Sequence, residues 1–515
     1  MEDNKKESSK KESEKKEISR RDFIKDSALG AAAFTIVPRF VLGGKDYVAP
    51  SDKLYIACVG CGGEAHNDIQ HYAYAPKNNA KIAFLCDVDD KRAAQTRKEF
   101  PDVPYYHDWR KLFDKEHKNF DAVSVAIPDH NHAIVGLNAM KMHKHLYLQK
   151  PLTHDIYEAR LLTKAAKKYK VVTQMGNQGA SFDGVRTLKE WFDAGLIGEI
   201  EKVYNWTDRP VWPQGIPWPN KHPKVPDTLD WNLWLGTAPE TKYIDNLVPF
   251  NWRGWWRFGT GALGDMACHI MGPSFKLLGI RYPTEVTCRV SKAYSGIFKE
   301  ADYPRSIPRS QKFCYKFKRD NGKELKFYWM DGGFIPDRPD ELDPDVNMNK
   351  ALAGVPKLGG FEGGTLFIGT KGKISCGWGG RNPRLLPLSL NNDIDVPKKY
   401  PRVHGSGNGH WWQWVNAAIA GYHNDYKGNA ALPILGKEKA YVDSPFEGYA
   451  GPLTETVLMG NLLSRSFGIQ NEQGNHPGRY IAYKWDGPNM KVTNFKPANQ
   501  YVKRTYRKGW GPLKL

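Results

Sequence analysis

The chain has 515 residues, 40% of them hydrophobic and 12% aromatic, which is enough apolar material for a folded protein of at least two domains. Its formal net charge of +19 does not by itself predict nucleic-acid binding, because the Lys and Arg residues are scattered and the N-terminal lysines alternate with glutamates. The charge favours a solvated basic surface, which would also suit acidic glycans as ligands. Seven cysteines in so long a chain exclude a disulfide framework, and we interpret the C-x-x-C pair Cys58 and Cys61 as structural because it lies in an apolar strand and the turn after it.

The first 50 residues predict an export signal. Arg20 and Arg21 are followed by Phe23 and then by a short Ala-rich apolar stretch, Ala28 to Val37. This order resembles a twin-arginine (Tat) export signal, and the stretch is too short for a transmembrane helix. We therefore expect residues 1–50 to be a polar tail with a Tat signal, and the protein to be periplasmic or otherwise exported, with no membrane span.

From residue 53 short β-branched runs alternate with helical stretches, which is typical of a parallel sheet covered on both faces. The predicted strands are Lys53 to Gly60, Ala80 to Val88, Ala122 to Pro128 and His145 to Lys150. The predicted helices are Ala65 to Ala75, Lys91 to Phe100, Trp109 to His117 and His132 to His143. The fold class is therefore α/β, with an N-terminal Rossmann dinucleotide-binding domain over residues 51–178.

The first predicted strand ends in a nucleotide-binding fingerprint. The run Gly60-Cys-Gly62-Gly63-Glu-Ala65 matches G-x-G-x-x-A and leads into a helix. Gly60 permits the tight turn, Gly62 and Gly63 let the pyrophosphate approach the backbone and the helix N-terminus, and Ala65 allows close packing of helix on strand. Asp87 closes the second strand, where a carboxylate binds the adenosine ribose diol and repels a 2′-phosphate. The cofactor predicted is NAD, with NADP disfavoured.

The pattern changes in the second part of the chain, which we assign to an α+β domain over residues 179–465. Alternation in Lys312-Phe-Cys-Tyr-Lys-Phe-Lys318 indicates a sheet with one wet face, so we expect a large, mainly antiparallel open sheet. Its predicted strands include Glu199 to Asp208, Val286 to Tyr294, Gln311 to Arg319, Leu325 to Met330 and Thr365 to Ile368, and Ser181 to Ala194 is predicted to be a helix. Residues 466–515 are predicted to form an extension over the surface.

A Trp- and Pro-rich insertion, residues 209–256, interrupts this second domain and has little periodicity. Long aperiodic loops are often binding loops, and tryptophans suit the apolar face of a sugar ring. Packing of the domain junction by the same tryptophans is an equally good interpretation.

Three further motifs carry the chemistry. Ala126-Ile-Pro-Asp-His-Asn-His132 and Gln149-Lys150-Pro151-Leu152 follow neighbouring strands, at the sheet edge where α/β proteins bind ligands. Farther on, Asp265 and His269 are four residues apart and would share one face of a helix.

Together these motifs make the chain, from residue 53 to about residue 465, resemble the Gfo/Idh/MocA family of oxidoreductases (glucose-fructose oxidoreductase and inositol dehydrogenase-like proteins). The resemblance implies three catalytic candidates, which are Lys150, Asp265 and His269. It also implies contacts with the cofactor, in which Asn131 and His132 lie at the nicotinamide end. The full set of these residues is Pro128, Asn131, His132, Gln149 and Lys150. The family usually has Glu where this chain has Gln149, and often Asp where it has Gly272.

The chemistry of alcohol oxidation gives these residues roles. A base must accept the hydroxyl proton while hydride leaves carbon, and a cation must stabilise the developing alkoxide. We favour His269, oriented by Asp265, as the base and Lys150 as the cation, but the sequence leaves the reverse assignment open.

The leading hypothesis is an exported NAD-dependent oxidoreductase that transfers hydride between a sugar, glycoside or polyol hydroxyl carbon and a tightly bound nicotinamide cofactor. One alternative is an NAD-dependent glycoside hydrolase or lyase, which would need a further base, such as a Tyr or His of the insertion. Another is a non-catalytic sugar-binding protein on a Rossmann-type fold. No histidine spacing predicts a metal site. The partners expected are a small carbohydrate or polyol and, through the open face of the large sheet, further copies of the chain, but no nucleic acid.

Overall fold

The protein is described by a computed structural model over residues 52–342, 344–345, 363–422, 432–436 and 440–515. The predicted tail and twin-arginine segment lie outside these residues. Within them, no helix is both long and apolar enough to cross a bilayer.

The first domain is a six-stranded sheet with the order β3-β2-β1-β4-β5-β6, in which every pair is parallel. The strands are β1 Leu54–Val59, β2 Ala80–Cys86, β3 Tyr105–Tyr106, β4 Ala122–Val125, β5 His145–Gln149 and β6 Thr173–Gly176. The helices between them are α1 Glu64–Ala73, α2 Asp90–Glu99, α3 Trp109–Glu116, α4 His132–Lys141 and α5 Ile156–Tyr169. The strand order reverses between β1 and β4, and this switch point is where doubly wound sheets bind their ligands. The predicted Rossmann domain is confirmed, and α5 is a helix that the prediction did not include.

The second domain is a nine-stranded sheet with the order β15-β14-β13-β7-β12-β11-β8-β16-β17. Its strands are β7 Ile200–Thr207, β8 Glu285–Val290, β11 Gln311–Lys318, β12 Glu324–Met330, β13 Gly363–Gly369, β14 Lys373–Gly377, β15 Arg384–Leu386, β16 Tyr483–Asp486 and β17 Lys491–Val492. Only β7 and β12 pair in parallel, so the prediction of a large, mainly antiparallel sheet is confirmed.

Further helices follow in the second part of the chain. They are α6 Asp183–Asp193, α7 Trp231–Leu235, α8 Gly261–Ile270, α9 Gly272–Leu277, α10 Gly409–Ala420 and α11 Gly451–Ser466. Helices α8 and α11 pack against strands of the nine-stranded sheet. The run that contains Asp265 and His269 is helical, as the sequence predicts, and forms α8.

Helix α10 belongs to the first domain's layers although it comes late in the chain. Trp411 and Trp414 share a hydrophobic core with residues of β1, β2 and α1. Trp411 also stacks on His71 of α1, with ring centroids 3.9 Å apart. The Rossmann domain is therefore not limited to residues 51–178, because a helix assigned from sequence to the second domain completes it.

Two predicted segments differ from the structure. The strand predicted over Val286 to Tyr294 ends at Val290, and a separate exposed hairpin follows, with β9 Tyr294–Gly296 and β10 Lys299–Glu300. The C-terminal extension does more than lie over the surface, because β16 adds to the sheet beside β8 and Tyr483 is fully buried.

Candidate functional site

A cleft of about 950 Å³ opens at the carboxyl ends of the parallel strands and is bounded on the other side by α8 and the insertion. Almost all the predicted site residues line it. They are Gly60, Gly62, Gly63, Ala65, Asp87, Pro128, Asn131, Gln149, Lys150, Asp265 and His269. The sequence motifs, which are spread over 210 positions from residue 60 to residue 269, therefore form one site.

The glycine-rich turn has the shape that a dinucleotide requires. Gly60 has a φ of +100°, and a Cβ there would lie 2.2 Å from the carbonyl oxygen of Ala126, so no other residue fits. Helix α1 begins at Glu64, directly after the turn, so its first N–H groups face the cleft. Backbone N–H groups and the helix dipole at this point fit a pyrophosphate.

Asp87 is held beside the same turn by backbone hydrogen bonds. Its Oδ2 accepts the Cys61 N–H at 2.8 Å and its Oδ1 accepts the Asp89 N–H at 3.0 Å. Burial raises the pKa of Asp87 to about 6, although these hydrogen bonds act in the opposite direction. Its place on the cleft wall fits the predicted contact with a ribose diol. Arg92 of α2 also lines this end of the cleft and was not predicted.

His132 does not face the cleft, which corrects the prediction that it contacts the nicotinamide. Its ring is buried, with Nδ1 2.8 Å from the Pro151 carbonyl oxygen and Nε2 2.6 Å from that of Ile127. These contacts hold together the turns that follow β4 and β5. Asn131 does line the cleft, but its amide is engaged by the insertion, because Nδ2 donates to the Trp234 carbonyl at 3.0 Å.

Lys150 and Asp265 form the centre of the site. Lys150 Nζ donates to Asp265 Oδ1 at 3.0 Å and to the Asp265 carbonyl at 2.9 Å. Arg209 Nη1 donates to Oδ2 at 3.0 Å and Arg253 Nε to Oδ1 at 3.3 Å, so three cations surround one carboxylate. Burial alone would raise the pKa of Asp265, but these cations hold it well below its ordinary value. The cluster has an excess of positive charge at the cleft wall.

His269 is oriented by Asn177, which corrects the prediction that Asp265 orients its ring. Asn177 Nδ2 donates to the Cys268 carbonyl and to Tyr449 Oη, each at 2.9 Å, so its Oδ1 is left to accept. His269 Nδ1 lies 3.0 Å from that Oδ1 and must carry the proton. Burial, and then the charge of Lys150, keeps the pKa of His269 well below its ordinary value. The neutral ring therefore has its lone pair on Nε2.

The two departures from the family pattern have local explanations. Gln149 Nε2 donates to both carboxylate oxygens of the buried Asp68, at 3.1 and 3.0 Å, where a Glu would put two carboxylates together. At Gly272 a Cβ would lie 2.6 Å from Tyr449 Oη. Tyr449 therefore fills the space that a side chain at position 272 would need.

The insertion contributes both packing and cleft surface. Three of its seven tryptophans, Trp234, Trp252 and Trp255, are buried in a small core of their own, and the partly buried Trp218 and Trp231 pack against it. Two of these, Trp234 and Trp252, also line the cleft, together with Phe250 and Arg253. The tryptophans of the insertion therefore serve both as packing residues and, at Trp234 and Trp252, as part of the cleft surface.

On the opposite wall, residues that the sequence did not single out complete the cleft. Trp378 packs against the edge of His269, with ring centroids 5.4 Å apart. Arg381 follows it, and its guanidinium lies 4.2 Å from the ring centroids of both Phe182 and Trp378. A Trp-Gly-Gly-Arg run after a strand is the signal that could have identified them.

The fold and the glycine-rich turn together define a dinucleotide-binding α/β protein. A family model described as the NAD-binding Rossmann fold of an oxidoreductase family matches residues 54–177, and the model of that family's C-terminal alpha/beta domain matches residues 185–294. Residues 54–177 and 185–294 thus match the two domains of the Gfo/Idh/MocA family of oxidoreductases, and NAD is the cofactor of the Rossmann domain.

Among curated proteins, the chain is similar to the levoglucosan dehydrogenase of Pseudarthrobacter phenanthrenivorans, with 24% identity over 38% of this chain and 42% of the relative. It is also similar to an inositol 2-dehydrogenase/D-chiro-inositol 3-dehydrogenase of Lacticaseibacillus casei, with 28% identity over 28% of this chain and 41% of the relative. The matches thus span about two-fifths of the length of these relatives. A solved structure of levoglucosan dehydrogenase with NADH and L-sorbose has the same fold, with a TM-score of 0.50, 16% identity, and 79% of this chain and 96% of that chain covered.

Proposed function

We propose that this protein is an exported oxidoreductase that transfers hydride between a hydroxyl-bearing carbon of a sugar, glycoside or polyol and a tightly bound NAD. The observation that carries the proposal is the position of Lys150, Asp265 and His269 in the same cleft as the glycine-rich turn. The curated relatives named above are dehydrogenases of an anhydrosugar and of inositols, which supports a polyhydroxylated substrate.

NAD would supply the hydride acceptor, and the residues of the chain would do the rest. His269 Nε2 accepts the hydroxyl proton, because Asn177 keeps the proton of the ring on Nδ1. Lys150 donates a charge-assisted hydrogen bond to the alkoxide as it develops. Asp265 keeps Lys150 in place through its carboxylate and its carbonyl oxygen. These are the roles favoured from sequence for His269 and Lys150, with Asn177 in place of Asp265 as the residue that orients the base.

The glycoside hydrolase alternative gains no support from the insertion. The insertion contains one His and one Tyr, His222 and Tyr243, and neither lines the cleft. His222 Nδ1 lies 3.1 Å from the Tyr243 carbonyl oxygen, within the insertion itself. A base for elimination would have to come from another part of the chain.

The test begins with denaturation of purified protein and mass spectrometry of the released nucleotide. Native protein is then incubated with a panel of monosaccharides, disaccharides and polyols before the same assay. We expect NAD from untreated protein and NADH after one class of sugar. Absence of any nucleotide, with none taken up from added NAD, would contradict the proposal and favour the sugar-binding alternative.

Export is part of the proposal and rests on the Arg20-Arg21 segment. Cell fractionation of the full chain, with and without the double substitution Arg20→Lys and Arg21→Lys, tests it. We expect the unchanged chain outside the cytoplasm and the double variant inside. Assembly through the open face of the large sheet is a further expectation, which light scattering of the purified protein would check.

A further inference from the structure

The cleft wall opposite the Rossmann sheet holds the guanidinium of Arg381, which faces the cleft without an ion-pair partner among the residues that the structure describes. Arg381 is half-buried and lies between the rings of Phe182 and Trp378. Within the described parts of the chain no carboxylate pairs with it, and burial is the only cause that lowers its pKa. A desolvated Arg with donors facing a cleft is costly unless a ligand accepts from it.

The loop that carries Arg381 is held rigidly. Gly379 and Gly380 both have positive φ, at +67° and +79°, and turn the chain sharply before Arg381. A Cβ on Gly179 would lie 2.7 Å from the Cα of Gly379, so the loop backbone is in close contact with the segment before α6. The guanidinium is thus presented in a fixed position, as preorganised binding groups are.

The substrate end of the cleft has more positive than negative charge. Lys150, Arg209 and Arg253 share the single carboxylate of Asp265, and Arg381 adds a fourth cation. Two other acids lie near this cluster. Asp129 has a pKa that burial raises to about 6, and its Oδ2 accepts the Thr260 hydroxyl at 2.6 Å. Burial also raises the pKa of Glu64, although the charges of Lys150 and Arg253 act in the opposite direction. The four cations still outnumber the carboxyl groups of Asp265, Asp129 and Glu64, because Asp87 and Asp89 follow β2 at the cofactor end.

Arg381 is close to the reacting groups. Trp378 contacts both the ring of His269 and the guanidinium of Arg381, so a single indole separates the proposed base from the free cation. A sugar whose hydroxyl reaches His269 Nε2 would have its opposite side near Arg381.

We propose that the sugar oxidised by this enzyme carries an anionic group, a carboxylate as in a uronic acid or an ester sulfate, and that Arg381 binds that group. Arg presents paired N–H donors that match the oxygens of either anion. The inference rests on the proposed oxidoreductase function and names its substrate class.

The experiment measures kcat/KM of the NAD-loaded full chain, with an artificial electron acceptor added to return the bound NADH to NAD. The sugars are matched in pairs: glucose with glucuronate, galactose with galacturonate, and galactose with galactose 6-sulfate. We expect at least one anionic sugar to exceed its neutral partner by about tenfold or more. The carboxylate and sulfate pairs distinguish the two sources of the anion.

Substitution then tests the residue. Arg381→Met should raise KM for the preferred anion by about 10–100-fold, the effect of one lost hydrogen bond to a charged group, while kcat changes much less. Arg381→Lys should recover part of the loss. The matched control is Arg384→Met, which removes the same charge three positions later from a separate surface groove and should leave the ratio of anionic to neutral kcat/KM unchanged.

The outcomes separate the two proposals. If no sugar of either set converts bound NAD to NADH, the proposed function fails. If neutral sugars react at least as well as their anionic partners, or if Arg381→Met lowers kcat for both equally, only this inference is overturned. Loss of bound NAD from Arg381→Met would mean that the guanidinium serves the cofactor, and would also overturn it.

Discussion

Two buried aspartates are each surrounded by cations, but only the cations around one of them are exposed at the cleft. Asp265 is paired with Lys150, Arg209 and Arg253, whose side chains are 17%, 23% and 22% exposed at the cleft. Asp443 is paired with Arg186 and Lys276, whose side chains are 0% and 1% exposed. Similar chemistry thus serves a ligand site in one place and only the fold in the other.

Asp443, Arg186 and Lys276 form a cluster that is closed to solvent, and this closed cluster joins several parts of the chain. Arg186 Nη2 donates to Asp443 Oδ2 at 2.6 Å, and Lys276 Nζ donates to the Asp443 carbonyl at 2.6 Å. The Asp443 N–H in turn donates to Gln174 Oε1 of β6 and Gln413 Oε1 of α10, at 3.1 and 2.9 Å. No atom of this cluster is available to a substrate, so we expect its loss to affect stability and not the chemistry.

Turnover should depend most strongly on the cations around Asp265. Lys150→Ala should lower kcat by about 10³-fold or more, because it removes the cation that stabilises the alkoxide. NAD should remain bound, since the glycine-rich turn and Asp87 are unchanged. Turnover and nucleotide content are measured together, with Lys81→Ala, an exposed lysine on β2, as the control. Activity that survives Lys150→Ala would show that the catalytic centre is assigned wrongly.

The second prediction concerns stability. Asp443→Asn should lower the free energy of unfolding by about 3–5 kcal/mol, because it leaves Arg186 and Lys276 charged, buried and without a carboxylate. Protein that remains folded should keep its kcat. Asp265→Asn should show the reverse pattern in the same chemical denaturation and kinetic assays, with a large loss of kcat and a smaller loss of stability. Equal destabilisation by both changes would show that Asp265, like Asp443, mainly stabilises the fold.

The closed cluster also predicts an acid limit. Burial alone would raise the pKa of Asp443, but Arg186 and Lys276 lower it to about 2. A carboxyl with a depressed pKa stabilises the fold above its unfolded value near 4, and this contribution, roughly 2 kcal/mol, is lost as the pH falls toward 2. Denaturation at pH values from 5 to 2 should therefore show the loss in the unchanged chain. In Asp443→Asn that part of the pH dependence should be absent.

The kcat/KM should change little with pH in mild acid. Because the pKa of His269 is well below its ordinary value of 6.5, the base stays neutral in mild acid. The kcat/KM should therefore hold, within about twofold, from pH 8 down to pH 6, where an ordinary His would already be largely protonated. His269→Ala should lower kcat about 10²–10³-fold, and His404→Ala, which changes an exposed His, should not. An acid limb centred at pH 6.5 or above would contradict the assignment of His269.

The parts of the fold and site that were predicted depend on short segments of sequence. β1, the glycine-rich turn and α1 follow one another directly, so their pattern and their function are both visible locally. Lys150, Asp265 and His269 were found because their motifs are local too, and because the family resemblance joined them.

The errors came from contacts between distant segments. His132 follows Asn131 in one motif, but only the packing of two turns decides that its ring points away from the cleft. Asp265 was expected to bind its helix neighbour, but it binds three cations from other segments. Arg381 lies in a loop that reaches the cleft only through the tertiary fold, so the Trp-Gly-Gly-Arg run is a local signal that does not by itself indicate a binding role.

Helix α10 limits how early in synthesis the first domain can fold. Trp411 is on the wall of the cofactor cleft and donates to Asp68 Oδ1 at 2.7 Å, yet it lies about 350 residues after the first strand of its own domain. A ribosome must therefore synthesise more than three-quarters of the chain before the NAD domain can close around this helix. Residues 51–178 expressed alone would lack α10 and would expose to water the apolar residues of β1 and α1 that it covers, so we expect them to fold stably only when α10 is present.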